Sequence, residues 1–375
     1  MMKNSIGLYI HIPFCIRKCR YCDFLSFPVD YETRKAYVEA LCGELKARGK
    51  ESPPADTVFI GGGTPSVLEE DLILKMGETI RECFDISPGA EFSIEANPGT
   101  LTAEKMKAFR EIGVNRVSLG VQSLDDRLLE TLGRIHRAGD AKNSYRMLRE
   151  HGFENINLDL MFALPGQDLG DWENTLKQAV ALGPEHLSFY GLIFEEGTAF
   201  FEDLKAGRLT EADDVTDREM YHRALEILEA AGYRHYEISN AAKPGLESRH
   251  NLKYWTMADY LGCGLGAHSY MDGTRFSNTE DLKEYLDKEE KTDRVHVNTE
   301  KDIREETIFT GLRLVEGLSK KLFRRVTGHE IREDYGPQID KTIRQGLLEE
   351  TEEAIRLTKK GLDLANAVMR EFIEV

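Results

Sequence analysis

Short runs rich in β-branched and aromatic residues alternate, through the first half of the chain, with longer stretches whose apolar positions recur every three to four residues. The short runs predict strands over residues 7–14, 57–62, 91–95, 116–120, 156–162 and 186–192. The longer stretches predict amphipathic helices over 31–50, 69–84, 102–112, 138–151 and 171–182. Strand and helix repeated so regularly call for parallel pairing with right-handed crossovers. The expected fold is therefore α/β, a partial (β/α)6 barrel, with an open sheet as the alternative that periodicity alone does not separate from it.

From about residue 197 the pattern turns helical, with a clear amphipathic helix over 213–232. A dense segment follows: Tyr236-Glu-Ile-Ser-Asn240, then His250-Asn-Leu-Lys-Tyr-Trp255, then Gly262-Cys-Gly-Leu-Gly-Ala-His268. Its glycines permit backbone conformations and close approaches that bulkier residues forbid. The charged stretch 281–298 reads as a helix and a connecting loop. Beyond it, helices are expected over 303–314, 319–326, 339–345 and 360–372 and a strand over 354–357, an order that resembles a winged helix. The chain thus divides into a barrel (1–235), an extension (236–298) and a smaller, mainly helical, winged-helix-like C-terminal domain (299–375).

Composition narrows the function. A formal charge of −17 over 375 residues argues against general affinity for nucleic-acid backbone or anionic lipid. The C-terminal module is no exception, with 14 Lys/Arg against 15 Asp/Glu between residues 301 and 375, so a packing or partner-docking role is expected of it rather than DNA binding. No apolar run approaches the roughly 20 residues of a transmembrane helix. The leading Met-Met-Lys-Asn-Ser-Ile-Gly lacks the apolar stretch of a secretory signal, so a cytoplasmic, reducing location is expected.

In that compartment the cysteines point to a metal or a buried core rather than to disulfides. Three of the six, Cys15, Cys19 and Cys22, form Cys-x-x-x-Cys-x-x-Cys directly after the first expected strand. Structural zinc usually takes four ligands, and no second Cys-x-x-Cys follows, although His11 is available to complete a set or to pack. Three thiolates hold three irons of a [4Fe–4S] cube and leave the fourth open. The spacing resembles that of the radical S-adenosylmethionine (SAM) enzymes, which implies a [4Fe–4S] cluster whose open iron takes the amino and carboxylate ends of SAM. One-electron reduction then breaks the sulfonium to methionine and a 5′-deoxyadenosyl radical. Cys42, Cys83 and Cys263 are scattered and expected to be buried hydrophobes.

Other chemistry-bearing residues end or line the expected strands, where parallel α/β folds place their sites: Gly61-Gly-Gly-Thr-Pro-Ser66, Glu95-Ala-Asn-Pro98, Gly120-Val-Gln-Ser123 and Asn157-Leu-Asp159. The glycine triplet is a plain tight turn or a backbone cradle for the SAM amino group. Glu95 and Asp159 need partners if buried, and Arg134 offers a planar fork for a carboxylate. Either these charges brace the sheet as an ion-pair network or they surround SAM.

Together these motifs, with Tyr9-Ile-His-Ile-Pro-Phe-Cys15 and Leu-Gly-Arg134-Ile-His136, make the chain similar, over nearly its full length, to the oxygen-independent coproporphyrinogen III oxidase family of radical-SAM proteins. The resemblance implies that Tyr9, Gly63, Thr64, Glu95, Gln122, Arg134 and Asp159 surround the cluster-bound SAM. It maps a second SAM site onto Tyr21, Gly191 and His268. One departure matters, because the oxidase has a fourth cysteine two residues after the third and this chain has Phe24. Phe24 and the His250-Asn-Leu-Lys-Tyr-Trp255 segment resemble the HemW branch, which implies a haem chaperone that binds haem and passes it to an acceptor protein, with an electron donor required if SAM is cleaved. In that reading His250 is the haem ligand and Tyr254 and Trp255 are flat faces for the porphyrin. The other readings are an aromatic-rich core turn around a hydrogen-bonded His250, and a decarboxylating coproporphyrinogen oxidase.

Overall fold

The computed structural model describes residues 5–373; the leading Met-Met-Lys-Asn, part of the segment read above for a signal sequence, lies outside the described residues. Six strands lead the chain: β1 (Ile6–Ile12), β2 (Ala55–Gly62), β3 (Ile86–Ala96), β4 (Arg116–Gln122), β5 (Asn155–Phe162) and β6 (His186–Gly191). They pair in sequence order, all parallel. The intervening helices include α1 (Tyr31–Gly49), α2 (Glu70–Cys83), α3 (Ala103–Glu111), α4 (Asp126–Thr131), α5 (Ala138–Glu150) and α6 (Leu169–Leu182). Each of α1, α3, α4 and α6 starts from an Asp or Thr whose side chain accepts a first-turn amide, so polar residues at the loop ends fix where these helices begin.

Strand alternation sorts the residues onto two faces. Leu8, Ile10 and Ile12 of β1, Val58 and Ile60 of β2, Val117 and Leu119 of β4 and Ile156 and Leu158 of β5 join the core with the helices. The intervening positions bring Glu95, Ser118, Gly120, Asp159 and Tyr190 to a shared cavity. The partial barrel is thus apolar on its outer face and polar within.

The extension adds strands to both edges of this sheet. Helices α7 (Ala199–Lys205) and α8 (Asp214–Ala230) lead to β7 (Arg234–Glu237) and β8 (Asn240–Ala242), which continue antiparallel beyond β6. Helix α9 (Arg249–Trp255) then crosses to the other edge, where β9 (Tyr260–Cys263) pairs parallel with β1. Strands β10 (His268–Met271), β11 (Thr274–Asn278) and β12 (Thr292–Val297) follow antiparallel. Part of the stretch read as a loop is therefore a strand. β12 is the sheet's edge and is exposed almost throughout, so both its faces carry charge and the usual alternation of a half-buried strand is missing.

A buried carboxylate fastens the extension to the barrel. Glu44 of α1 accepts hydrogen bonds from the Gly264 amide (2.9 Å), Asn278 Nδ2 (2.7 Å) and the Tyr285 hydroxyl (2.7 Å), and pairs with Arg48 (3.0 Å). The Tyr37 hydroxyl of the same helix donates to the His11 carbonyl and accepts the Leu265 amide. Gly264 approaches so closely that a Cβ there would sit 2.5 Å from the His11 carbonyl oxygen.

The C-terminal region has its own apolar core around Leu312, Phe323, Ile339 and Phe372. It runs from a helix at Glu300–Gly311 through Leu318–Ser319, Lys320–Thr327 and Ile331–Arg344 to the strands Leu348–Glu350 and Ala354–Leu357, the expected winged-helix order. The final helix is instead two short ones, Lys359–Asp363 and Ala365–Arg370. Arg313 docks this region on the barrel by pairing with buried Glu237 (3.4 Å) and covering the Trp255 ring (4.3 Å).

Removing Glu44 takes the acceptor from the buried Gly264 amide and Tyr285 hydroxyl and the carboxylate partner from half-buried Arg48, while Asn278 keeps only the Gly264 carbonyl. Glu44→Ala is expected to lower stability by about 3–5 kcal/mol, measured as a lower denaturation midpoint in urea; a change under about 1 kcal/mol would contradict the clamp.

Candidate functional site

The cysteine loop leaves β1 and folds back on itself: the Cys15 amide donates to the Phe27 carbonyl (3.3 Å) and the Cys22 amide to the Cys19 carbonyl (3.3 Å). Its three thiols open, half-buried, on one cavity of about 450 Å³ at the C-terminal ends of the barrel strands. Tyr21, Gly63, Thr64, Glu95, Gln122, Arg134, Asp159 and Gly191 line the same cavity. Among the described residues no three His, Cys, Asp or Glu side chains converge on a single metal ion. Thiols spread around a cavity suit a cube, which takes one thiolate per iron.

The glycine triplet is demanded by crowding. A Cβ on Gly62 (φ +113°) would lie 2.5 Å from the His11 ring, and one on Gly63 would lie 2.6 Å from the Phe14 carbonyl oxygen. The amides are also spent: Gly62 N–H on the Glu95 carboxylate (3.0 Å), Gly63 N–H on the Ile12 carbonyl (2.9 Å) and Thr64 N–H on the Phe14 carbonyl (2.7 Å). The triplet therefore seams β2 to β1 beneath the cysteines, and what it leaves for a ligand is space and carbonyl oxygens.

A polar chain ties the strand ends to the thiols. Asn97 Nδ2 donates to Thr64 Oγ1 (2.7 Å), and Arg134 Nη2 donates to Asn97 Oδ1 (2.7 Å) and to the Gly120 carbonyl (2.6 Å). Arg134 Nη1 lies 3.6 Å from Cys19 Sγ, while its Nε has no partner among the described residues. Gly120 has no side chain because a Cβ would press on Asn97 Oδ1 at 2.5 Å. Gln122, at the end of β4, adopts a left-handed conformation (φ +64°) that costs a non-glycine residue energy and often marks a functional site. Asn97 is the functional residue that sequence reasoning passed over, although it lies inside the Glu95-Ala-Asn-Pro98 motif. Asn157, in the Asn157-Leu-Asp159 run, and Ser118, which no motif marked, donate to Asp159 at 2.8 Å each.

Burial and the neighbouring Asp159 charge push the Glu95 carboxyl up to about 8, despite the Gly62 amide and the Arg116 guanidinium. Burial likewise raises Asp159 against its hydroxyl and amide donors. Two carboxyls thus face one enclosed space short of positive charge. The thiols, the partnerless Arg134 Nε and these carboxyls fit a [4Fe–4S] cluster with SAM: Cys15, Cys19 and Cys22 would hold the cluster, and the carboxyls would meet the cationic groups of SAM.

The remaining expected residues fall elsewhere. Tyr9 and His268 line a neighbouring groove that shares Lys18, Asp23 and Phe24 with the first cavity, so Tyr9 stands apart from the other residues expected around the first SAM, and His268 from Tyr21 and Gly191. His11 is a packed histidine, with Nδ1 on the Tyr9 hydroxyl (2.9 Å) and Nε2 on the Leu25 carbonyl (3.0 Å). His250 is 1% exposed and lines neither cavity. Its Nδ1 bonds Thr57 Oγ1 and its Nε2 the Tyr254 hydroxyl, both at 2.8 Å, and burial lowers its pKa to about 3. Both ring nitrogens are occupied, by side chains rather than by backbone. Trp255 packs under Arg313, and only Tyr254 of this segment reaches the groove.

Known proteins resemble the chain along nearly its whole length. Residues 9–179 match the radical SAM superfamily and residues 298–364 the HemN C-terminal domain. The chain is 42% identical to the heme chaperone HemW of Bacillus subtilis, over 97% of this chain and 98% of that protein. It is 36% identical to the Escherichia coli heme chaperone HemW, over 98% of each. Among solved structures, E. coli coproporphyrinogen III oxidase superposes with a TM-score of 0.85 at 22% identity, covering 100% of this chain and 91% of that one, which shows a shared fold.

The raised Glu95 pKa sets a sign for the ligand-free protein. As pH rises from about 4.5 to about 8, the unfolded chain releases a proton that folded Glu95 retains, so stability falls across that window. Glu95→Gln removes this contribution and is expected to gain on the parent, by pH 8, on the order of a few kcal/mol in chemical denaturation. Parallel pH profiles for the two proteins would contradict the assignment.

Proposed function

The chain belongs to the HemW family of radical-SAM proteins, and we propose that it is a haem chaperone, binding haem and handing it to an acceptor protein in the cytoplasm. Phe24 carries the reading. Its ring is 63% exposed on the wall common to the cluster cavity and the groove, at the position where the oxidase pattern has a thiol. An exposed aromatic face suits contact with a flat apolar ligand and supplies no sulfur.

The parts divide the work. Residues 1–235 hold the cluster and SAM, 236–298 contribute the haem-handling segment, and 299–375 dock on the barrel and offer a surface to a partner. When bound and reduced, the cluster supplies one electron to SAM, and an external donor must supply that electron. Glu95 and Asp159 meet the cationic groups of SAM, Gln122 offers an amide to its ribose or carboxylate, and Arg134 balances the thiolates. Gly63 and Thr64 set the cavity wall, and Tyr21, between Cys19 and Cys22, and Gly191, at the end of β6, line it as well. His250, Tyr254 and Trp255 serve the haem side, with Tyr254 as the member in reach.

The test is anaerobic reconstitution with iron and sulfide, followed by haem titration and transfer to a haem-free acceptor. A saturable Soret change and loss of haem to the acceptor are expected, together with no protoporphyrinogen when coproporphyrinogen, SAM and reductant are supplied. Protoporphyrinogen formation without saturable haem binding would favour the oxidase reading instead.

A further inference from the structure

The groove beside the cluster cavity has a volume of about 700 Å³, within the roughly 300–1,000 Å³ of small-molecule sites. Its walls are flat and aromatic. Tyr254 and Tyr260 meet edge to face with centroids 4.7 Å apart, Tyr9 stacks behind on Phe59 (6.3 Å, 28° between planes), and Phe24 forms the outer side. Lys18 stands at the rim with its ammonium on the Phe24 carbonyl (3.0 Å), next to the carboxylates of Asp23 and Glu280.

The histidines of this face differ in one decisive respect. A haem-iron ligand needs a free imidazole nitrogen. His11 and His250 have committed both ring nitrogens to partners inside the protein. His268, the first residue of β10, is exposed and lines the groove, and its ring makes no hydrogen bond or ion pair among the described residues. It is held in place because β10 is paired on both sides and the preceding Gly264–Gly266 turn is packed against the cysteine loop, where a Cβ on Gly266 would lie 2.6 Å from Leu25.

We propose that haem binds in this groove with the imidazole of His268 as its iron ligand. Tyr254, Tyr260 and Phe24 enclose the porphyrin, and Lys18 is the cation of the lining that a propionate would meet. His250 is then a positioning residue, orienting Tyr254 through the 2.8 Å hydrogen bond to its hydroxyl. This assignment rests on the haem-chaperone reading and adds the site and the ligand to it.

Cluster-loaded full-length protein and its His268→Ala, His268→Met, His250→Ala and Tyr254→Phe variants are titrated with haem, with resonance Raman and Soret spectra reporting the axial ligand. His268→Ala is expected to weaken binding more than about tenfold and to lose the histidine signature, and His268→Met to replace it with a thioether-type one. Tyr254→Phe and His250→Ala are expected to keep the histidine signature and to weaken binding less than about threefold. His268 is exposed, so its variants fold, which cluster content and circular dichroism check. Intact ligation in His268→Ala with loss in His250→Ala overturns the groove assignment and leaves the haem reading standing. A second equivalent of bound SAM that His268→Ala abolishes, with haem binding unchanged, also overturns it by giving the groove to SAM. A parent protein that takes up no haem overturns the chaperone reading itself.

Discussion

The structure turns on a deficit of positive charge inside the barrel. Glu95 and Asp159 face the same space from β3 and β5, burial raises both, and the Asp159 charge raises Glu95 further. Arg134 does not cancel them, because it is spent on Asn97, the Gly120 carbonyl and the neighbourhood of Cys19. Hydroxyl and amide donors from Ser118, Asn157 and Gly62 and the buried Arg116 guanidinium partly compensate the two carboxyls, both of which stay raised, and a cationic ligand would lower them further. SAM carries a fixed sulfonium charge, and the three thiols that would place it at an open iron open on the same cavity.

The rest of the fold follows from keeping that interior polar and in register. Alternation along the strands sends Leu, Ile and Val outward to the helices and leaves glycines, hydroxyls and carboxyls within, so stability and chemistry are carried by opposite faces of one sheet. The glycine seam of β2 presses the cysteine loop onto the strand ends, and the Glu44 clamp presses the extension onto the loop's other side. Two cavities meet along Phe24 as a result, one lined by thiols and carboxyls, the other by aromatic rings and a free imidazole.

Much of this was legible in the sequence. The six strands lie within a few residues of their expected places, because alternation and strand-end glycines are local signals, and the cysteine spacing and strand-end carboxylates located the site for the same reason. What escaped depends on contacts between distant segments. The strands β7–β11 are only three to five residues long, too short to show a period. The burial of His250 is imposed by Thr57 and Tyr254, which no spacing around His250 reveals, and the free state of His268 emerges only by comparison with its neighbours. The crowding of Gly63 by Phe14, nearly fifty residues earlier, has no local signature, so spacing left both a tight turn and a ligand cradle open.

The central claim, a three-thiolate cluster with its open iron turned to SAM between these carboxyls, is tested most directly by electron paramagnetic resonance. The reconstituted protein is reduced by one electron and its cluster spectrum recorded with and without SAM. SAM is expected to change the g-values of the cluster, and Glu95→Gln to require more SAM for the same change. A fully formed cluster whose spectrum is identical with and without saturating SAM would contradict it.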